Sequence, residues 1–296
     1  MCGETGLFME VISLDDDRRL RGVAYALVIM TAKIHPTSTI NGEVHLADDV
    51  EIGPHCVLDG PITIGAGTVL MGHSYLTGPL TIGAGNRIYP FVCLGFEPQD
   101  YKFDPEANCA GVVIGDHNII REHVTIHRST SAEEPTTVGD ECMLMVGSHI
   151  GHDCWVGNRC ILVNNVALAG HVILEDQVLI GGASVIGQRT RIGRLTFIGG
   201  AIGVGMHVPP FVLVRRINLV SGLNLIGLRR AGMAREEIDR LQSAFHIAFD
   251  DRNGRAAVME QLLTISDGSP VVREFYEFFR GVTGSICRRE PPIAKV

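Results

Sequence analysis

The sequence predicts a mainly β protein: a parallel β-helix of six-residue repeats followed by a small α-helical region. Three observations carry this. Isoleucine, leucine or valine recurs at every sixth position from Ile34 to Leu94, and again from Val138 to Val204. Glycine often follows that aliphatic, as at Gly53, Gly65, Gly83, Gly139, Gly151 and Gly193. Beyond Pro209-Pro210 the period gives way to helical spacing. A six-residue unit is too short for a helical hairpin and fits a short strand plus a corner. Three such strands close one triangular coil of roughly eighteen residues, with the aliphatics inward and coils stacked about 4.8 Å apart.

The elements follow in order. Residues 1–33 precede the repeats and read as a disordered extension or a start set too early, with Met30 the alternative start. Arg18-Arg19-Leu20-Arg21 before the apolar run Val23 to Met30 has the look of a weak signal peptide. Asp15-Asp16-Asp17 and Lys33 argue against that. Residues 34–212 form the β-helix domain. The glycines after the aliphatics mark corners where the backbone turns sharply or takes positive φ. Two excursions, 95–113 and 127–137, break the period, the first rich in proline and charge. A long loop inside a solenoid is disordered or functional. The period resumes at Ile114, Ile120 and Ile126, and Val138 returns in phase. Residues 213–296 form a helical domain. Ile238, Leu241, Phe245 and Phe249 sit on one helix that stops at Asn253-Gly254. A second helix covers Ala256 to Ile265. A third starts at Ser269 as N-cap with Pro270 in its first turn. This region is expected to cap one end of the solenoid, where strand edges are adhesive, and to pack on a neighbouring subunit.

Composition narrows the function. A net charge of -8 over 296 residues argues against a large nucleic-acid surface. No apolar run is long enough for a membrane-spanning helix. Among eight cysteines, Cys56, Cys142, Cys154 and Cys160 each fall four residues after a periodic aliphatic, in a slot shared with Ser38, Val44 and Thr68. They read as small buried thiols of a reducing cytoplasm, and without a CxxC pair a cysteine zinc site is not expected.

Of 12 histidines, His127, His149, His152 and His171 fall in coil register. Ile150 and Leu168 are eighteen apart, so His152 and His171 belong near one corner, about one rung apart. Ile126 and Leu144 are also eighteen apart, which puts His127 and His149 on neighbouring coils if the second excursion leaves the phase undisturbed. One such histidine alone reads as a polar corner residue. Asp153 beside His152 suits general-base work near neutral pH. Gly170 offers an unobstructed backbone N–H as an oxyanion donor. No GxSxG nucleophile is present, so the suggested chemistry is direct attack by a substrate hydroxyl.

The segments IREHVTIHRST, SHIGHDCWVGNRCIL, NNVALAGHV and GMHVPPFV, with FEPQDYK before them, resemble the UDP-N-acetylglucosamine O-acyltransferases that begin lipid A biosynthesis. The resemblance runs from about Ile34 to about Gly281. It implies a left-handed β-helix, a homotrimer with active sites between subunits, and no cofactor or metal. It further implies transfer of an (R)-3-hydroxyacyl chain from acyl carrier protein to the sugar 3-hydroxyl. By the same resemblance His152 is the general base, Asp153 its acid neighbour and Gly170 the donor to the thioester oxygen. His127, His149, His171 and Gln188 line the substrate pocket. Asp100 and Lys102 reach the acyl hydroxyl region. Asn224 and Arg230 face the nucleotide or the carrier, and Gly200 helps set acyl length, its small size suiting a longer chain.

This chain departs from the family pattern at Gly187, where histidine is common, at Val214-Arg215-Arg216-Ile217-Asn218, and at Ala231. Arg215, Arg216, Arg229, Arg230 and Arg235 make either a basic face for an acidic carrier and phosphates or a solvated patch. The rival readings are another hexapeptide-repeat acyltransferase with a different acceptor or an acetyl-CoA donor, a zinc enzyme like the trimeric carbonic anhydrases, and a non-catalytic scaffold.

Overall fold

The computed structural model describes residues 31–250, 252 and 254–291, so the expectations for residues 1–30 and for Asn253 lie outside the described residues. The periodic aliphatics build short parallel strands that wind into a three-faced prism. Face one has 12 strands beginning at Lys33–Ile34, face two has 9 from Thr39–Asn41 to Gly203–Val204, and face three has 8 from Val44–Leu46 to Arg191–Ile192. Leu58, Ile126, Leu144, Ile150 and Leu168 point inward and are fully buried. Each such side chain contributes about 1.5–3 kcal/mol by leaving water.

The slot four residues after each aliphatic is a hydrogen-bonding position. Ser38, Thr68 and Ser184 donate their hydroxyls to the carbonyls of Gly53, Gly83 and Gly199 at 2.6, 2.8 and 2.8 Å. The thiols of Cys142, Cys154 and Cys160 donate likewise to Gly157, Ala169 and Glu175 at 3.1, 3.1 and 3.2 Å. The donor must be short and its partner is always one coil on. Burial pushes the Cys154 thiol up to about 12, consistent with an inert packing role.

The glycines act differently from the positive-φ half of the expectation. Gly53, Gly65, Gly139 and Gly193 have ordinary φ, and the positive-φ residue stands two places later, as at His55 (56°), Glu141 (55°) and Leu195 (55°). What excludes a side chain at Gly53 and Gly65 is the next coil: a Cβ would lie 2.4 Å from the Met71 carbonyl oxygen and 2.6 Å from the Gly83 carbonyl carbon.

Register corrects a second expectation. Regular coils pair residues eighteen apart, as Ile150 with Leu168. Across the first excursion Leu94 pairs with Ile126, thirty-two residues on. Across the second, Ile126 pairs with Ile150 rather than Leu144, which stacks on Ile120. The second excursion therefore inserts one full repeat without changing the sixfold phase.

The C-terminal region is not wholly helical. Val212–Arg216 and Leu219–Leu223 form an antiparallel hairpin that continues face one, with Arg288–Arg289 beside it. Among the described residues four helices accompany it: α1 Leu225–Arg230, α2 Arg235–Ala248, α3 Arg255–Ile265 and α4 Pro270–Gly281. The Ser269 hydroxyl accepts the Val272 N–H at 3.3 Å, capping α4 as its spacing predicts. Rings of Phe245, Phe249, Phe275 and Phe279 knit α2 to α4. Arg194 anchors α4 to the prism through Glu274, its Nε and Nη2 donating to the two carboxylate oxygens at 2.9 and 2.8 Å.

Candidate active site

The corner between faces two and three collects the chemistry. Each face-two strand ends there, and residues eighteen apart stack: His152, Gly170 and Gln188 in one column, Asp153, His171 and Arg189 in the next. The N–H of His171 donates to the His152 carbonyl at 2.9 Å, and the N–H of Arg189 to that of Gly170 at 3.1 Å. The two histidine rings meet edge to face at 5.2 Å. His127 and His149 do the same at 5.0 Å on the adjoining coils. They are neighbours because Ile126 sits on Ile150, not by the spacing first expected.

Asp153 organises the corner. It holds positive φ (58°), and its N–H donates to the Thr136 hydroxyl at 2.8 Å. Its carboxylate Oδ2 lies 2.6 Å from His152 Nδ1 and 3.6 Å from His171 Nε2. Burial, the largest single influence, pushes this carboxyl up, but hydrogen bonds from His152 and Thr130 outweigh it and the net shift is downward. An ionised carboxylate only accepts, so the shared proton sits on His152 Nδ1 and leaves the Nε2 lone pair free.

Residues of the second excursion, absent from the sequence reading of the site, complete it. Thr130 donates its N–H to Asp153 Oδ1 and its hydroxyl to Oδ2, both at 2.8 Å, and the Ser131 N–H adds 3.4 Å to Oδ1. The first excursion supports the second. The Ala110 N–H donates to the Ser131 carbonyl at 2.7 Å, and those of Ser129 and Thr136 to Gly111 at 3.2 and 3.1 Å. Arg128 pairs with Glu97 at 2.8 Å and lies over the Phe103 ring.

Gly170 is demanded by the site. A Cβ there would stand 2.6 Å from Cε1 and Nε2 of His152. Burial, then the nearby His149 and His152, lowers His127 to about 4. Burial also lowers His149 and His171, with Asp153 opposing the shift at His171. Thr125 hydrogen-bonds His149 Nδ1 at 2.7 Å. These three rings are therefore neutral near pH 7 and present uncharged polar edges.

The other expected residues are spread out. Gln188 is exposed, two coils beyond His152 on the same corner. Asp100 and Lys102 lie in the first excursion, where Asp100 accepts the Lys102 N–H at 3.0 Å; neither bonds the histidines within the described residues. Gly200 stands on the corner between faces one and two, three coils or about 14 Å along the axis from His152. Asn224 caps α1, accepting the Gly227 N–H at 3.1 Å and donating to the Leu195 carbonyl at 2.9 Å. Arg230 is exposed at the end of α1. In the basic patch, Arg216 pairs with Glu290 at 3.0 Å and Arg235 lies 4.0 Å from Asp239, while Arg215 and Arg229 are exposed.

His152, Asp153 and His171 also offer ligand atoms within 4.8 Å of one another, a set a divalent ion accepts. Against that, Oδ2 already takes the His152 and Thr130 hydrogen bonds.

Residues 207–287 match the family described as UDP N-acetylglucosamine O-acyltransferase, domain 2, and residues 135–170 match the bacterial transferase hexapeptide (six repeats). A relative from Thermodesulfovibrio yellowstonii, named acyl-(acyl-carrier-protein)–UDP-N-acetylglucosamine O-acyltransferase, is 40% identical over 86% of this chain and 99% of its own. One of the same name from Rippkaea orientalis is 45% identical over 70% of this chain and 74% of its own. The solved UDP-N-acetylglucosamine acyltransferase of Francisella novicida superposes with a TM-score of 0.83 at 33% identity, covering 88% of this chain and 95% of that one. The chain belongs to the UDP-N-acetylglucosamine O-acyltransferase family.

Proposed function

We propose that this protein moves an (R)-3-hydroxyacyl chain from acyl carrier protein to the 3-hydroxyl of UDP-N-acetylglucosamine, the first step of lipid A biosynthesis. The observation that carries the reading is the 2.6 Å contact of His152 Nδ1 with Asp153, which leaves Nε2 as the base. His152 Nε2 takes the proton of the sugar hydroxyl as its oxygen attacks the thioester carbonyl. The Gly170 N–H stabilises the oxyanion, and Asp153 steadies the imidazolium. The carbon–sulfur bond then breaks, and the imidazolium returns its proton to the departing thiolate.

His127, His149, His171 and Gln188 supply uncharged polar edges for the sugar and diphosphate. Asp100 and Lys102 reach the acyl hydroxyl, and the lack of a side chain at Gly200 admits a longer chain. Arg230 and the exposed arginines near it receive the carrier or the phosphates. Asn224 supports that end of the site through its cap. The protein acts as a cytoplasmic homotrimer with sites between subunits. Exposed Trp155, Ile173 and Val185 flank the histidine corner and suit burial against a second copy. Among the described residues no helix is long and apolar enough to cross a membrane.

The test is a transfer assay with acyl carrier proteins of several chain lengths and with the sugar nucleotide or its 3-amino analogue. His152→Ala should abolish transfer and leave the oligomer unchanged by light scattering. Near-normal turnover would remove His152 as the base. The cluster of three ligand atoms favours a second, zinc-enzyme reading. Stoichiometric zinc retained through chelator dialysis would support it.

A further inference from the structure

We infer that Thr130 is a positioning residue for the His152–Asp153 pair, clamping both carboxylate oxygens from the second excursion so that the ring keeps one orientation and one tautomer. The inference rests on the proposed role of His152 as base.

The clamp is two-pronged. One residue supplies two donors of equal length, its N–H to Oδ1 and its hydroxyl to Oδ2, each at 2.8 Å. Two fixed points on a planar carboxylate stop it rotating about the bond to its Cβ. Oδ2 is also the atom that holds His152 Nδ1, so any rotation would carry the ring with it. The backbone prong survives substitution, but the hydroxyl prong does not. Thr130 is in turn fixed from behind, because Ser131 accepts the Ala110 N–H and the Ser129 hydroxyl at its carbonyl. The Ser131 hydroxyl also accepts the N–H groups of Glu133 and Glu134 at 3.1 and 3.0 Å. A loop built only to bridge two strands has no need of this many inward bonds. The six extra residues of this coil place a donor where no hexapeptide corner can reach.

The hydroxyl has an electrostatic effect as well. It stabilises negative charge on Oδ2 and so moderates the pull of the carboxylate on the His152 proton. The other charged or titrating groups facing the pair are His171 at 3.6 Å, Arg189 beyond it, His149 on the same coil and His127 on the preceding one. Glu97 acts on His127 from the first excursion.

The experiment compares Thr130→Val, Thr130→Ser and His152→Ala in the full-length protein. Readouts are kcat, KM, the pH profile of kcat/KM and the ring-nitrogen NMR shifts of His152. Thr130→Val should lower kcat about tenfold, the effect of one hydrogen bond to a charged group. KM for either substrate should hold steady, and the acid limb should move to higher pH. The His152 ring nitrogens should shift toward a mixed tautomer. Thr130→Ser should recover most of the loss. Wild-type kcat and NMR shifts in Thr130→Val would overturn the inference, as would a serine variant no better than valine, which would indicate packing of the methyl group. Turnover retained by His152→Ala would remove the base itself. An inactive His152→Ala beside a normal Thr130→Val would remove only the clamp.

Discussion

Coils between Thr136 and Val204 repeat every eighteen residues and pair their strands with the coil above and below, whereas 97–111 and 128–135 leave the prism and bond to each other, with Thr130 and Ser131 of the second reaching Asp153. The regular coils carry the core, with Ile150, Leu162 and Leu168 fully buried, and set histidines at fixed spacing. The excursions bury little and add the donors that a six-residue corner lacks room for. Position comes from the repeat, and the fine setting of the proposed base comes from its interruptions.

Gly170→Ala tests that division most severely, because it alters a regular coil yet strikes the site. A Cβ 2.6 Å from the His152 ring must displace an imidazole held by Asp153. A displacement near 1 Å lowers kcat about a hundredfold. Transfer kinetics beside a melting curve check this, and unchanged kcat would mean the ring has room to move. Leu168→Ala strikes the same coil from inside. It should cost about 2–5 kcal/mol of stability by denaturant unfolding, with much less effect on kcat at a temperature where the variant stays folded.

His127 stands at the seam, where a face-two strand ends and the second excursion begins. Its folded value of about 4 lies below the ordinary 6.5, so the unfolded chain binds that proton first as pH falls. The stability it contributes is complete above 6.5 and drains away as pH falls toward 4. His127→Gln should flatten the fall in denaturant midpoint across that window, and equal slopes in the two proteins would contradict it. The smallest effect belongs to an excursion alone. Glu97→Gln removes the charge of half-exposed Glu97 but keeps an amide oxygen for the largely buried Arg128, and should change stability by less than about 1 kcal/mol. A larger loss by the same unfolding assay would show the first excursion to be part of the folded core.

Much of this was legible from residue spacing. The sixfold aliphatics locate the strands, and the eighteen-residue step from Ile150 to Leu168 brings His152 and His171 together. The same ruler failed at Ile126 for a definite reason. An insertion of six preserves phase modulo six but moves every later strand by one face. Thr130 and Ser131 carry no periodic signature, since donors on a loop are identified only by what they reach. The glycines were visible, but their purpose was half misjudged, because a backbone crowded by the next coil and a backbone at positive φ select the same residue. The α1 helix went unforeseen because its six residues are too few to show a period, although Asn224 is an ordinary cap signal.

Because both excursions enter and leave the prism with the coils around them still paired, the scaffold is indifferent to their length. Doubling a loop costs only about 0.6 kcal/mol in closure entropy. Such a frame works as a rack with exchangeable inserts. Segment 97–111 can be extended or exchanged, and 128–135 likewise so long as Thr130 still meets Asp153, while every histidine keeps its rung.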